Sequence, residues 1–470
     1  MNERFRRTTF VLGAVSAAVI LTYAAYSRPW YFTNQTYLGG LLFLECLIAL
    51  VFVYRRMFFL ALLLVFLWAG INLPGGGGVW TKARWIILGL GALIGLLISV
   101  RERRLHFGPF HLIAFAAVLA LLVSTAVSQY FNYTLFKVLS MLLLLAYAST
   151  GARIAVAGRE SRFSKGLITG CEVFVFVNAI LYPAGIEVMG NPNSLGAVMG
   201  VAMAPVLLWG TLLEEKSSVH YRRLILYAAS IYLAFLSHGR AGILVALLSS
   251  ALLCLSLRKY RLLIQGTIAL VIIVASVSIF RPDYVPSLIS SIAYKNSSTV
   301  ILASRLTPWQ SAMENISEHP WFGMGFGTTG SDTADPTSLE DRLASTAGVT
   351  SENGSSYLSL LAGVGILGSL PWFILLLLII GTIVRTIAWM RTTGNALHLS
   401  PPLAMIAVAG LVHAAFEDWM FAPGNYLCVF FWSLVFILAD VAPRAKGLAS
   451  NVVSRSILGA SGSGRIPCDV

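Results

Sequence analysis

The stretch RLLIQGTIALVIIVASVSIFRPDY, Arg261 to Tyr284, decides the fold. Its apolar run, 262–280, carries no charge and is bounded by Arg258, Lys259 and Arg261 before it and by Arg281 and Asp283 after it. A helix rises about 1.5 Å per residue, so a run of this length reaches across most of a ~30 Å hydrocarbon core. Similar runs recur along nearly the whole chain of 470 residues, which is 57% hydrophobic and only 11% charged. Soluble proteins carry about 25% charged residues, so this chain lacks the charge to cover a water-facing surface. A soluble multidomain enzyme and a single anchored domain are both excluded. The sequence predicts an all-α, polytopic membrane protein with 14 spans, or 12 to 14 where boundaries are soft, centred in 9–26, 37–54, 57–73, 83–100, 109–127, 133–149, 166–184, 193–213, 222–237, 241–257, 262–280, 356–378, 401–418 and 425–442.

The charges orient these spans. With a cytoplasmic N-terminus, alternate connections hold Arg4/Arg6/Arg7, Arg101/Arg103/Arg104, Arg153/Arg159/Arg162/Lys165, Arg258/Lys259/Arg261 and Arg444/Lys446, among others, so most of the 33 basic residues lie on one side. The positive-inside rule makes that side cytoplasmic and places both termini there. The net charge of +13 is therefore topogenic, and nucleic acid drops out as a partner. The first span resembles a cleavable signal sequence, but its length and the lack of a clear cleavage site favour retention. The five cysteines, Cys46, Cys171, Cys254, Cys428 and Cys468, show no CxxC or metal-ligand spacing, so neither a disulfide framework nor a zinc site is expected.

One connection is long. Residues 281–355 form a polar, Gly/Ser/Thr-rich segment on the non-cytoplasmic side, where functional residues concentrate. Five blocks lie in this segment or border the same face. GNPNSLG, Gly190 to Gly196, opens the eighth span with Asn191 as N-cap and Pro192 at N1; one reading is capping, the other an anion held at the helix start by residues such as Asn191 and Asn193. SHGRAG, Ser237 to Gly242, is a tight turn carrying His238 and Arg240. Arg240 faces the unfavourable end of a helix dipole, which an anion between them would relieve; the alternative is a snorkelling interfacial arginine.

SRLTPWQSAMENISEHPWFGMGFG, Ser304 to Gly327, reads as a short amphipathic helix with Thr307 as N-cap, Pro308 at N1 and Arg305 just before it. Two arginines beside two helix starts suit a diphosphate, whose oxygens match guanidinium forks. Gly325, Gly327 and Gly330 formally satisfy GxGxxG, but no strand precedes them and no helix follows, so the dinucleotide fingerprint is rejected. SENGSSYLSLLAGVGILGSL, Ser351 to Leu370, returns the chain to the membrane. There Glu352 beside Asn353 is either a dipole-complementing residue or a general base, the latter requiring burial or a neighbouring carboxylate to raise its pKa. Finally HAAFEDW puts His413 and Glu417 at i, i+4; two ligands are a weak metal signal, so no metal site is assigned and an acceptor-binding role is preferred. Within the spans, Glu45, Lys137 and Glu172 are expected to face the bundle interior and find partners.

Taken in order, NPNSLG, SHGRAG, the Ser304–Gly327 block, the Ser351–Leu370 return and HAAFED resemble the O-antigen ligase and polymerase superfamily of bacterial envelope enzymes, over roughly 190–440. The resemblance implies a C-type glycosyltransferase-like membrane protein of the bacterial inner membrane that transfers an undecaprenyl-diphosphate-linked glycan on the periplasmic face without a metal or other cofactor. It implies a ligase/polymerase-like membrane domain, set at 166–442 with the periplasmic loop 281–355; hydropathy and composition add N-terminal helices over 1–165 and a disordered cytoplasmic tail over 443–470. By it Arg240 and Arg305 engage the diphosphate; the blocks themselves add Glu352 as the catalytic base and Asn191, Asn193, His238, Asn353, His413 and Glu417 as substrate-binding residues. Partners would be the bilayer and, within the pathway, a flippase and a chain-length regulator. Ligases of the family usually have histidine before asparagine at the loop's return, whereas this chain has Glu352 before Asn353; a polymerase of exopolysaccharide or O-antigen repeats is therefore the expected activity, with ligation to lipid A core as the alternative. A flippase or transporter is the competing class, but it would be expected to carry inverted repeats and small external loops, and here the distinctive residues lie outside the spans.

Overall fold

The computed structural model describes residues 58–70, 79–102, 105, 107–189, 191–214, 217–281, 283, 286–287, 290, 303–328 and 354–443. Among them every regular element is a helix. In chain order these are α1 (Phe58–Ala69), α2 (Val79–Glu102), α3 (Pro109–Val127), α4 (Phe131–Val156), α5 (Glu160–Leu181), α6 (Pro192–Leu213), α7 (Ser218–Leu236), α8 (Arg240–Ser256), α9 (Tyr260–Phe280), α10 (Ala303–Glu318), α11 (Ser356–Thr393), α12 (Ser400–His413) and α13 (Tyr426–Val441). Seven of them, α2 to α6, α9 and α11, are long and apolar enough to cross a membrane; α8, α12 and α13 are apolar but shorter. The protein is thus an all-helical, polytopic membrane protein. The expected spans at 9–26 and 37–54, with Glu45 and Cys46, the chain after 443 with Cys468, and most of the 281–355 connection lie outside the described residues.

Three expected boundaries are corrected. The run assigned to 356–378 continues as helix to Thr393, because FILLLLIIGTIVRTIAWM stays helix-forming and apolar until Gly394 closes it in the left-handed conformation (φ 65°). The span assigned to 401–418 ends at His413, because the carbonyls of Ala414 and Glu417 are taken by Ser356 and cannot continue a helical ladder. The short amphipathic helix begins at Ala303, so Thr307 is not its N-cap and Pro308 lies one turn inside it. Arg305 accordingly sits within the first turn.

Cross-contacts sort the connections between two ends of the bundle. At one end Gly70 meets Tyr426, Arg84 meets Gly424, Gly325 meets Ser128 and Thr134, Gly196 meets Ser237 and Gly239, and Arg305 meets Glu417. At the other end Arg153 pairs with Asp440, the Trp209 indole donates to Ala396 O (2.7 Å), and His220 Nδ1 lies 3.1 Å from Thr211 O. Glu172 is bound there by Arg222 and Arg223, each at 2.8 Å, which is the interior pairing expected of it. Lys137 runs along Gly327 and stands over the Tyr133 ring (5.1 Å). α6 is buried along almost its whole length, whereas α9 turns Ile264, Ile268, Val271 and Ile272 outward, as a lipid-facing helix does.

Candidate functional site

The end that carries Arg240 and Arg305 is built on glycine. Gly196 and Gly200 on α6 face Gly239 and Gly242 at the start of α8, and the backbones touch: a Cβ on Gly242 would lie 2.3 Å from Gly196 O, and one on Gly200 would lie 2.1 Å from Gly242 O. Small residues spaced by three or four let membrane helices approach this closely. A π-helical turn, Met199–Met203, re-aims α6 at the contact. The GNPNSLG and SHGRAG blocks are therefore one structure. Asn191 caps α6, accepting from Asn193 N at 2.8 Å. His238 is held at φ 50°, a left-handed conformation that costs a non-glycine residue about 1–2 kcal/mol. It forms the corner after which Arg240 opens α8, and Gly239 at the N-cap position has no side chain to satisfy the first amides.

The second half of this end is the α10 region. Its following loop returns along the start of α11: Met324 N donates to Ala362 O (3.0 Å), Gly325 N to Gly363 O (2.9 Å) and Ile366 N to Pro320 O (2.8 Å). α11 is broken there, with Gly365 at φ 66° and a Cβ on it 2.3 Å from the Trp321 carbonyl carbon. These hydrogen bonds explain the Gly323–Gly327 run: it is a backbone-to-backbone docking strip, and Ser124 on α3 adds a hydrogen bond to the same Gly363 carbonyl (2.8 Å).

At the start of α10, Arg305 forms an ion pair and hydrogen bond with Glu417, both side chains only 17% exposed. Glu417 is held from behind. Ser356 donates its hydroxyl to Glu417 O (2.7 Å), and its Oγ accepts from the amides of Trp419 and Met420, each at 3.1 Å. Ser359 is hydrogen-bonded to Asp418. His413, buried at the end of α12, accepts at Nδ1 from the Trp419 indole (2.8 Å). Trp309, one turn beyond Arg305, donates to Gly354 O (3.2 Å), and Gly354 (φ 64°) leaves room for no Cβ without crowding Arg305 and Trp309 at 3.3 Å.

The structure thus joins Arg305 to Glu417, sets His413 in the same connection, and gathers Asn191, Asn193, His238 and Arg240 at the α6–α8 contact. Both arginines stand in first turns at the same end, Arg240 on α8, which packs along α12 and touches α11, and Arg305 on α10, which packs on α11. Glu352 and Asn353 lie outside the described residues, as does Gly190. Sequence reading missed Ser356, Trp309 and Trp419. They fall inside the blocks singled out, but nothing in a serine or tryptophan alone announces whose carbonyl it will hold. Among the described residues no three His, Cys, Asp or Glu side chains cluster as metal ligands would.

Residues 225–373 match the family model described as O-antigen ligase. This match supports the O-antigen ligase and polymerase superfamily for that segment. It runs from α7 into α11 and takes in Arg240 and Arg305, with Asn191, Asn193, His413 and Glu417 outside its limits. The family is one of ligase- and polymerase-type membrane enzymes with glycosyltransferase-like activity. No curated protein matches the chain.

Proposed function

We propose that the protein polymerises undecaprenyl-diphosphate-linked repeat units of an exopolysaccharide or O-antigen on the periplasmic face of the bacterial inner membrane, using 14 spans and no metal. The observation that carries this reading is the pair of arginines in first turns at one end of the bundle, where the helix dipole alone would repel them. Such an arrangement is stable with a polyanion between. Glu417 supplies one carboxylate to Arg305, and a diphosphate carries more charge and more acceptor oxygens. The concentration of basic residues at the opposite connections supports assigning the site end to the periplasm.

In this mechanism an acceptor sugar hydroxyl attacks the anomeric carbon of the donor glycan, and the bond from that carbon to the diphosphate oxygen breaks. The lipid diphosphate leaves with the electron pair, and Arg240 and Arg305 stabilise the charge that develops on it. Glu352 accepts the hydroxyl proton. Asn191, Asn193, His238, Asn353, His413 and Glu417 orient the two substrates. Glu352 before Asn353, in place of the histidine usual in ligases, favours a lipid-linked acceptor over lipid A core. The test is complementation with Arg240→Ala and Arg305→Ala: glycan chains stop elongating while the protein still inserts, and unchanged chain length in both variants would overturn the reading.

A further inference from the structure

A second arginine-containing cluster occurs at the site end, on α2. Arg84 near the start of α2 is 1% exposed, yet only one of its nitrogens has a protein acceptor, NH1 donating to Gly424 O at 2.9 Å. Among the described residues its Nε and NH2 have no hydrogen-bond partner, and neither does the buried indole Nε1 of the adjacent Trp85. The guanidinium lies over the Trp85 ring (5.1 Å) and near the Phe66 ring (5.9 Å), so its faces are covered while donors on its edge stay unsatisfied. Aromatic faces offset part of the cost of burying a cation, but they accept nothing from N–H groups lying in the guanidinium plane. No carboxylate pairs with Arg84 among the described residues.

The surroundings tie this cluster to the site. Gly424 belongs to the connection between α12 and α13 that also holds Glu417, and Tyr426, two residues on, lies beside Ser194 of the NPNSLG block. Tyr426 also packs against Gly70, at the end of α1. A planar donor edge, an added indole N–H and, among the described residues, the absence of a counter-charge together describe a receptor for a tetrahedral oxyanion.

We propose that Arg84 and Trp85 form a second phosphoryl-binding site, which takes the anionic headgroup of an amphiphile at the same membrane face. Two sources share this chemistry: a bilayer phospholipid, or the diphosphate of a second lipid-linked glycan, which the polymerase reading requires as acceptor. Binding itself does not depend on that reading.

The test measures binding without turnover. Full-length protein carrying Arg240→Ala and Arg305→Ala, in neutral detergent, is titrated with dodecyl phosphate, dodecyl diphosphate and uncharged dodecanol. The two anionic probes bind, and adding Arg84→Met weakens both by about tenfold or more, the scale of losing charge-assisted hydrogen bonds, while dodecanol is unaffected. Phosphatidylglycerol displacing the bound probe more readily than dodecyl diphosphate assigns the site to bilayer lipid; the reverse order assigns it to the glycan carrier. If Arg84→Met does not fold, Arg84→Lys and Trp85→Phe give the same readout. Unchanged affinity for both anionic probes in the folded variants would overturn the site, and would leave the roles of Arg240 and Arg305 untouched.

Discussion

Arg305 shows how one residue's surroundings set its chemistry. It is held between Glu417 and the Gly354 backbone, and the carboxylate that orders it is itself fixed through Ser356. Removing a preorganised donor aimed at developing charge typically costs about 10²–10³ in rate. Arg305→Ala and Arg240→Ala should each slow glycan elongation by that order, measured as product length over time with purified protein; Arg305→Lys, which keeps the charge but loses the fork, should fall between. Glu352→Gln separates the two readings of that residue. As a base, the carboxylate is required and elongation falls by about 10²–10⁴-fold; full activity in the glutamine variant would leave only a helix-capping role. Arg240 and Arg305 could be singled out in the sequence because a cation at a helix start conflicts with a local rule. The Glu417 pairing could not be, since it joins residues more than a hundred positions apart in the chain.

Elements were legible wherever apolar runs fixed them, as in α3, where the expected and observed limits, 109–127, coincide. They were illegible where tertiary contacts intervene. Thr307-Pro308 looks like a helix start, yet α10 begins at Ala303 and holds Pro308 one turn in. Residues 414–418 have helical composition, but Ala414 and Glu417 give their carbonyls to Ser356. Replacing Ser356 with alanine should leave the Trp419 and Met420 amides unsatisfied and destabilise the protein by about 1–3 kcal/mol, read as a lower melting temperature in detergent. The glycine contact between α6 and α8 makes a parallel prediction. Gly242→Ala places a Cβ 2.3 Å from Gly196 O, which only backbone movement can relieve, and should cost about 1–3 kcal/mol together with activity, because the same contact positions Arg240. A Gly242→Ala protein with an unchanged melting temperature would contradict the packing described.

At the scale of the whole molecule, charge asymmetry and fold agree on a bundle with two unlike ends: one rich in glycine contacts, kinked helix starts and first-turn arginines, the other carrying the Arg153–Asp440 and Glu172–Arg222/Arg223 pairs. In a background lacking the native cysteines, Gln310→Cys on α10 should react with a membrane-impermeant maleimide once the outer membrane is opened. Thr392→Cys at the far end of α11 should react only after the inner membrane is also breached, and the reverse pattern would invert the topology. The central claim is that the arginine-bearing end transfers a glycan from one lipid diphosphate to another lipid-linked chain. The most direct measurement gives purified full-length protein lipid-linked repeat units, with and without a lipid A core acceptor, and sizes the products. Longer lipid-linked chains in both reactions are the predicted result; no product in either, or product only on the core, would contradict it.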